Sequence, residues 1–231
     1  MHSLVAMDAQ NKRLTENITW ADNRSSRYAD LIENEYNGFE IYQRTGTPLH
    51  PMSPLSKIFW MKHEQPAIYN QTAKFADIKT YIFYQLFGKY VIDYSMASAT
   101  GMFNLGQLDW DEKALKLLGI SRDQLPELVP TTHILTGMKK RFAELMDIDE
   151  NTPVVVGASD GVLSNLGVNS YKKGEVAVTI GTSGAIRTVI NKPRTDYKGR
   201  IFCYVLDDEH YVIGGPVNNG GVILRLSLIH I

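Results

Sequence analysis

The stretch Val154-Val155-Val156-Gly157-Ala158-Ser159-Asp160-Gly161 constrains this chain more than any other. Three consecutive β-branched residues predict a buried strand. Gly157 and Gly161 punctuate it, with only small residues and one acid between them, and Val162-Leu163-Ser164-Asn165-Leu166-Gly167 reads as the start of a helix. In open α/β sheets, ligands sit beyond the carboxyl ends of strands. Asp160 stands at such an end, walled by Gly, Ala and Ser, with room for a ligand beside it. The same aspartate also suits the N-cap of the following helix, where Asp is favoured.

The 231 residues are 44% hydrophobic and 21% charged, enough to bury a sizeable core. A net charge of −1 gives no electrostatic reason to expect nucleic acid or an anionic membrane as partner. No apolar run approaches the roughly 18 residues of a membrane-spanning helix. Cys203 is the sole cysteine, so no internal disulfide forms, which fits a reducing cytoplasm. Met1 to Asp8 lack the basic start of a signal peptide. The strand read from Ser3 to Met7 begins with no lead-in. At the other end Leu226-Ser227-Leu228-Ile229-His230-Ile231 stops inside an apolar run with no cap, and it matches one reading frame of a transposon-end adapter used in sequencing libraries. Residues 226–231 are therefore expected to be a cloning or assembly artefact, outside fold reasoning.

Along the chain, Asp8 to Arg13 reads as a polar turn closing a hairpin, and Ile18-Thr19-Trp20 as a short β-like run. Ser25 to Glu35 has helical spacing, with Tyr28, Leu31 and Ile32 on one face. Tyr42 to Ser56 is rich in loop formers, and Lys57 to Lys62 is an apolar helical turn. A helix within Ile68 to Phe87 places Phe75, Ile78, Ile82, Phe83 and Leu86 on its apolar face and ends at Gly88. Asp93 or Ser95 caps another helix, and Asp109 to Glu112 opens one that runs to Leu118 and Gly119. After Gly174 the period changes. Val176, Val178 and Ile180 alternate as in a half-buried strand, Gly181-Thr182-Ser183-Gly184 turns the chain, and the alternation resumes from Ala185 to Ile190. Phe202 to Leu206 and Tyr211 to Ile213 form a further strand pair. The shift from helix-rich α/β material to a β-meander puts a domain boundary near Gly167 to Gly174.

Two more segments carry chemistry. Trp20, Asp22 and Arg24 offer an aromatic face, an acceptor and a fork of donors, a grip for a polyhydroxylated ligand or else a helix cap with a solvated arginine. The Gly-Thr-Ser-Gly turn is a plain hairpin turn or a phosphate cradle, in which glycines let backbone N–H groups converge and Thr182 and Ser183 add hydroxyl donors.

These segments, with Met1-His2-Ser3-Leu4, the run from Pro54 through Lys57 to Trp60, Asp93 to Ser98 and Gly214 to Gly221, resemble the FGGY family of carbohydrate kinases over nearly all of residues 1–225, and within it the gluconokinase branch. The resemblance implies an α/β fold of two actin-like, ribonuclease-H-like domains around a cleft, truncated here at both ends. Residues 1–168 would be most of the sugar-binding domain, and 171–225 the start of the nucleotide-binding domain. Asp160 would be the general base that takes the proton of the substrate's primary hydroxyl. Met1 and His2 would line the sugar pocket with Trp20, Asp22 and Arg24 near it, and Gly181, Thr182 and Ser183 would meet the ATP phosphates. No metal ligand is assigned to the chain. The family's opening Asp-Gly-Thr-type loop, which holds phosphate and Mg²⁺, would lie upstream of Met1, and its adenine-binding part downstream of Arg225. The expectation is an inactive, poorly folding fragment of an ATP-dependent kinase.

The expected reaction is phosphorylation of D-gluconate to 6-phosphogluconate by a cytoplasmic enzyme, with a homodimer at full length one option and the oligomeric state left open. Xylulose or another neutral sugar or polyol is the alternative substrate. Gluconate's carboxylate calls for a cation, for which Arg24, Lys57, His2 and His50 are candidates. A non-catalytic sugar-binding module is the reading from another class; it needs neither Asp160 nor the Gly-Thr-Ser-Gly turn.

Overall fold

The computed structural model describes residues 1–172, 174–181, 184–217 and 221. Strand β1 (Val5–Met7) is followed by helices α1 (Ser26–Glu35), α2 (Gly38–Thr45), α3 (Pro54–Glu64) and α4 (Pro66–Gln71), then by β2 (Lys74–Ala76), α5 (Ile78–Phe87), β3 (Val91–Asp93) and α6 (Tyr94–Ser98). Next come β4 (Phe103–Asn104), β5 (Asp109–Trp110), α7 (Glu112–Leu118), a 3-10 turn (Arg122–Gln124), β6 (Glu127–Val129), β7 (Ile134–Leu135), α8 (Lys140–Met146), β8 (Val154–Val155) and α9 (Asp160–Gly167). The last strands are β9 (Val176–Ile180), β10 (Gly184–Ile190), β11 (Phe202–Val205) and β12 (Tyr211–Val217). Residues 226–231 lie outside the described part, as do Thr182 and Ser183.

Short polar side chains start the helices. Ser53, Asp77, Asp93, Asp111 and Ser159 each accept a hydrogen bond from the backbone N–H three residues on, which satisfies a donor the helix leaves free. Gly88 and Gly119 end α5 and α7 in the left-handed conformation, as their positions predict.

Strand β1 pairs antiparallel with β2, Val5 opposite Ala76, and β3 runs parallel to β6, Ile92 opposite Leu128. The last four strands make an antiparallel sheet in the order β11-β12-β10-β9. Leu4, Ile32, Ile58, Phe59, Phe103 and Leu115 belong to a core that also takes in Cys203, Val205 and Tyr211 of that sheet. Each fully buried Leu, Ile or Phe there contributes about 1.5–3 kcal/mol. Polar ties reinforce this seat: the Cys203 N–H donates to the Gly46 carbonyl at 2.8 Å, the Val205 N–H to Ser98 Oγ at 3.0 Å, and the Tyr42 hydroxyl to the Ile201 carbonyl at 2.8 Å. Gly46 makes the approach possible. Its φ is +66°, and a Cβ there would sit 2.7 Å from the Cys203 carbonyl oxygen. The sheet is thereby held beside Met1 and His2.

Four local expectations are corrected. Val154 to Val156 is not a buried strand. It contributes the two-residue β8, paired antiparallel with β7, and Val155 is 56% exposed opposite the exposed Ile134, while Val156 is buried. This two-stranded sheet leaves Val155 and its partner Ile134 on an uncovered face, so the β-branched run is not buried throughout. In β9 the alternation is real but its faces are reversed: Ala177 is buried, and Val176, Val178 and Ile180 are exposed. Tyr42 to Ser56 is less loop than its composition suggests, since α2 runs to Thr45 and α3 starts at Pro54. Ile41, Tyr42 and Thr45 are buried, and their contacts outweigh the local loop signal. In α5 the buried face is Thr80, Phe83 and Phe87, with Ile78 and Ile82 exposed, and Phe75 belongs to β2.

Candidate functional site

One cavity of about 290 Å³ gathers residues from four regions. Met1, His2 and Trp20 come from the start of the chain, Met52 precedes α3, Asp160 and Gly161 open α9, and Ala185, Arg187, Phe202, Tyr204 and Pro216 come from the late sheet. Gly161 keeps the space open, because a Cβ there would meet Met1 Cε at 2.8 Å.

Asp160 is the first residue of α9, and its side chain is 83% exposed. It does not cap the helix. Ser159 does, its Oγ accepting from the Val162 N–H, so the Asp160 carboxylate stays available at the positive end of the helix. The loop that carries it is braced from beneath. Ser95 Oγ donates to Ser159 Oγ at 3.0 Å and accepts from the Ser159 N–H at 3.1 Å. Lys79 Nζ lies 2.5 Å from the buried Asp93 Oδ2 and donates to the Val156 and Gly157 carbonyls at 3.1 and 3.4 Å. Burial pushes the Asp93 carboxyl up, and Lys79 pulls it back toward the ionised form. The α-amino nitrogen of Met1 is 3.8 Å from Asp160 Oδ1; within a longer polypeptide that nitrogen is an uncharged amide.

His2 is buried in a left-handed backbone conformation, φ +59°. Burial first, then the positive charges of the Met1 amino group and Lys57, push its ring down to about 4, so it is neutral at physiological pH. Its ring lies 6.0 Å from that of Tyr204. Lys57 fixes its backbone: Nζ donates to the His2 carbonyl at 2.5 Å and to the Thr19 carbonyl at 2.8 Å. Burial lowers the Lys57 ammonium to about 8. Trp20, 66% exposed, stands at the rim.

Asp22 and Arg24 are not in this wall. They bond to each other, Nη2 to Oδ2 at 2.7 Å, and the Arg24 guanidinium lies 4.8 Å over the Trp60 ring, lining a separate cavity of about 300 Å³. The Arg24 hydrogen bond holds the Asp22 carboxyl below its ordinary range. His50 Nδ1 accepts from the Met52 N–H at 3.2 Å. Gly181 sits at the β9–β10 turn, where its carbonyl accepts from the Gly221 N–H at 2.5 Å; its neighbours Thr182 and Ser183 are outside the described residues. Arg187, Tyr204, Phe202 and Met52 were not anticipated. For Arg187 the signal was present: strand alternation puts it on the face of Ala185 and Val189, both buried, and a charge on a buried strand face asks for a partner.

A larger cleft of about 890 Å³ lies elsewhere, between Lys74, Tyr90, Trp110 and Arg122. Its cations are already engaged, Arg122 by Asp109 and Glu112 and Lys74 by the Asp123 carbonyl. The smaller cavity is the one that brings Asp160, His2 and Arg187 together. Among the described residues no helix is long and apolar enough to cross a membrane.

The pattern described as the FGGY family of carbohydrate kinases, N-terminal domain, matches residues 1–167. The gluconokinase of Bacillus subtilis (strain 168) is 63% identical over 225 residues, covering 97% of this chain and 44% of that relative. Two solved structures from Lactobacillus acidophilus, one described as gluconate kinase and one as ligand-bound xylulose kinase, each share 40% identity and a TM-score of 0.96, over 98% of this chain and 46% of theirs. The chain thus spans about half the length of the relatives it matches. Its α/β architecture is the actin-like, ribonuclease-H-like one the sequence implied, and the chain belongs to the FGGY family of carbohydrate kinases.

Proposed function

We propose that this chain supplies the sugar-binding part and the catalytic base of an ATP-dependent carbohydrate kinase whose substrate is D-gluconate, phosphorylated to 6-phosphogluconate. The convergence of Met1, His2, Trp20 and Asp160 on one cavity carries the reading. About 290 Å³ is near the lower end of small-molecule pockets and suits a six-carbon acid. Gluconate rather than xylulose is favoured by the 63% identity to a gluconokinase, because the two solved structures bear different substrates in their descriptions at equal similarity.

In this reading Asp160 accepts the proton of the substrate's primary hydroxyl as that oxygen bonds to phosphorus. Phosphoryl transfer has a loose transition state, so catalysis rests mainly on positioning and charge. A carboxylate suffices as base because the proton moves late. Neutral His2 exchanges hydrogen bonds with sugar hydroxyls without adding charge, and Trp20 offers a ring face to the carbon chain. ATP supplies the transferred phosphoryl group. Gly181, Thr182 and Ser183 are the proposed phosphate contacts, of which Gly181 alone is among the described residues. Mg²⁺ belongs to the proposal as the partner of ATP. Among the described residues no group of three or more His, Cys, Asp or Glu could hold it, so no ligand is assigned. A division into residues 1–168 and 171–225, a homodimer at full length and a cytoplasmic location complete the proposal.

The test is ADP release by the full-length protein carrying this chain, with D-gluconate, D-xylulose and glycerol as acceptors. Gluconate should win in kcat/KM by about 100-fold or more. A preference for xylulose or glycerol refutes the substrate, and sugar binding without turnover on any acceptor favours a binding module.

A further inference from the structure

A substrate carboxylate needs a donor that the cavity can offer. Arg24 is engaged by Asp22 and lines another cavity. Lys57 is engaged by backbone carbonyls, His2 is held neutral, and His50 is not in the wall. Arg187 is in the wall, with Asp160 and His2. It takes part in none of the ion pairs among the described residues. Its Nη1 donates to Thr179 Oγ1 at 2.9 Å, which fixes the plane of the guanidinium. Its Nε is buried and has no hydrogen-bond partner among the described residues. An unpaired buried donor is costly, and a ligand that satisfies it gains accordingly. Nε and Nη2 together form the side-on edge of the guanidinium, the edge that grips a carboxylate through two parallel hydrogen bonds. Both atoms lie beside Gly161, 3.9 Å from where a Cβ would stand.

We propose that Arg187 determines the specificity of this site, its Nε–H and Nη2–H edge binding the carboxylate of an aldonic acid whose far hydroxyl faces Asp160. This rests on the gluconate reading above. The experiment compares D-gluconate with D-glucitol, the same carbon chain with a neutral CH₂OH in place of the carboxylate, in the full-length protein and its Arg187→Leu and Arg187→Lys variants. The wild type should favour gluconate by about 100-fold or more in kcat/KM. Arg187→Leu should raise KM for gluconate about 100-fold, far more than it lowers kcat, and at least about tenfold more than it changes KM for glucitol. Arg187→Lys keeps the charge without the fork and should fall between; it carries the test alone should the leucine variant not fold. A gluconate-to-glucitol ratio that the variants leave unchanged overturns the assignment, and so does an equal loss of kcat on both acceptors at constant KM. A wild type that prefers xylulose or glycerol overturns the gluconate reading itself, whereas a gluconate-selective wild type with indifferent variants removes only Arg187.

Discussion

Asp93 and Asp160 stand at almost the same place in two similar stretches, a short strand leading to a helix, and they have opposite roles. Asp93 is the N-cap of α6, fully buried, with Oδ1 accepting from the Met96 N–H at 3.0 Å and Oδ2 on Lys79. Asp160 is one position further along α9, because Ser159 takes the cap, and its carboxylate is left in the open cavity. A single residue of register decides whether an aspartate holds a helix or stays free in a cavity. The two are also linked. Through Lys79 and Ser95, the buried aspartate's neighbourhood holds the loop that presents the exposed one.

The comparison breaks most directly at Asp160. In the full-length protein, Asp160→Ala should lower kcat by about 10²–10⁴-fold while sugar binding persists and unfolding free energy stays within about 0.5 kcal/mol; near-normal turnover would refute the proposed role as base. Asp93→Ala should do the reverse kind of damage. It leaves Lys79 without its carboxylate and α6 without a cap, for a loss of about 3 kcal/mol in urea unfolding. His2 sharpens the electrostatic side. The unfolded chain binds a proton near pH 6.5, whereas the folded ring resists until about 4. The unfolded state therefore holds more protons in that window, and stability falls as pH drops through it, by up to about 3 kcal/mol. Part of that depression comes from the Met1 amino charge, so the measured swing should be smaller where Met1 is preceded by more chain. His2→Asn, which tolerates the left-handed backbone, should flatten the pH dependence. Ser159→Ala should show the smallest effect, about 2 kcal/mol of stability from the lost cap and the lost acceptor for the buried Ser95 hydroxyl, with Asp93 undisturbed.

Much of this arrangement was legible in the sequence where local chemistry decides. Asp93, Asp111, Gly88 and Gly119 punctuate their helices as their residue types require, and the strand pair around Gly181 follows from alternation. Burial was less legible, because a pattern of two does not say which face is inward. Val176, Val178 and Ile180 look like core and are surface, while Ala177 is core. The same ambiguity hid Arg187, whose meaning depends on Ala185 and Val189 being the buried neighbours. Trp20, Asp22 and Arg24 look like one grip in sequence; the tight Asp22–Arg24 pair and the Trp60 ring separate them in space.

Lys57 and Lys79 hold the walls of the cavity through backbone carbonyls, those of His2 and Thr19 in one case and of Val156 and Gly157 in the other. Every residue type carries a carbonyl. The exposed side chain at position 19 can therefore change without disturbing these particular contacts, whereas Val156 is fixed by its own burial and not by Lys79. The freedom ends at the two lysines, where the length of one side chain sets the position of the backbone it grips.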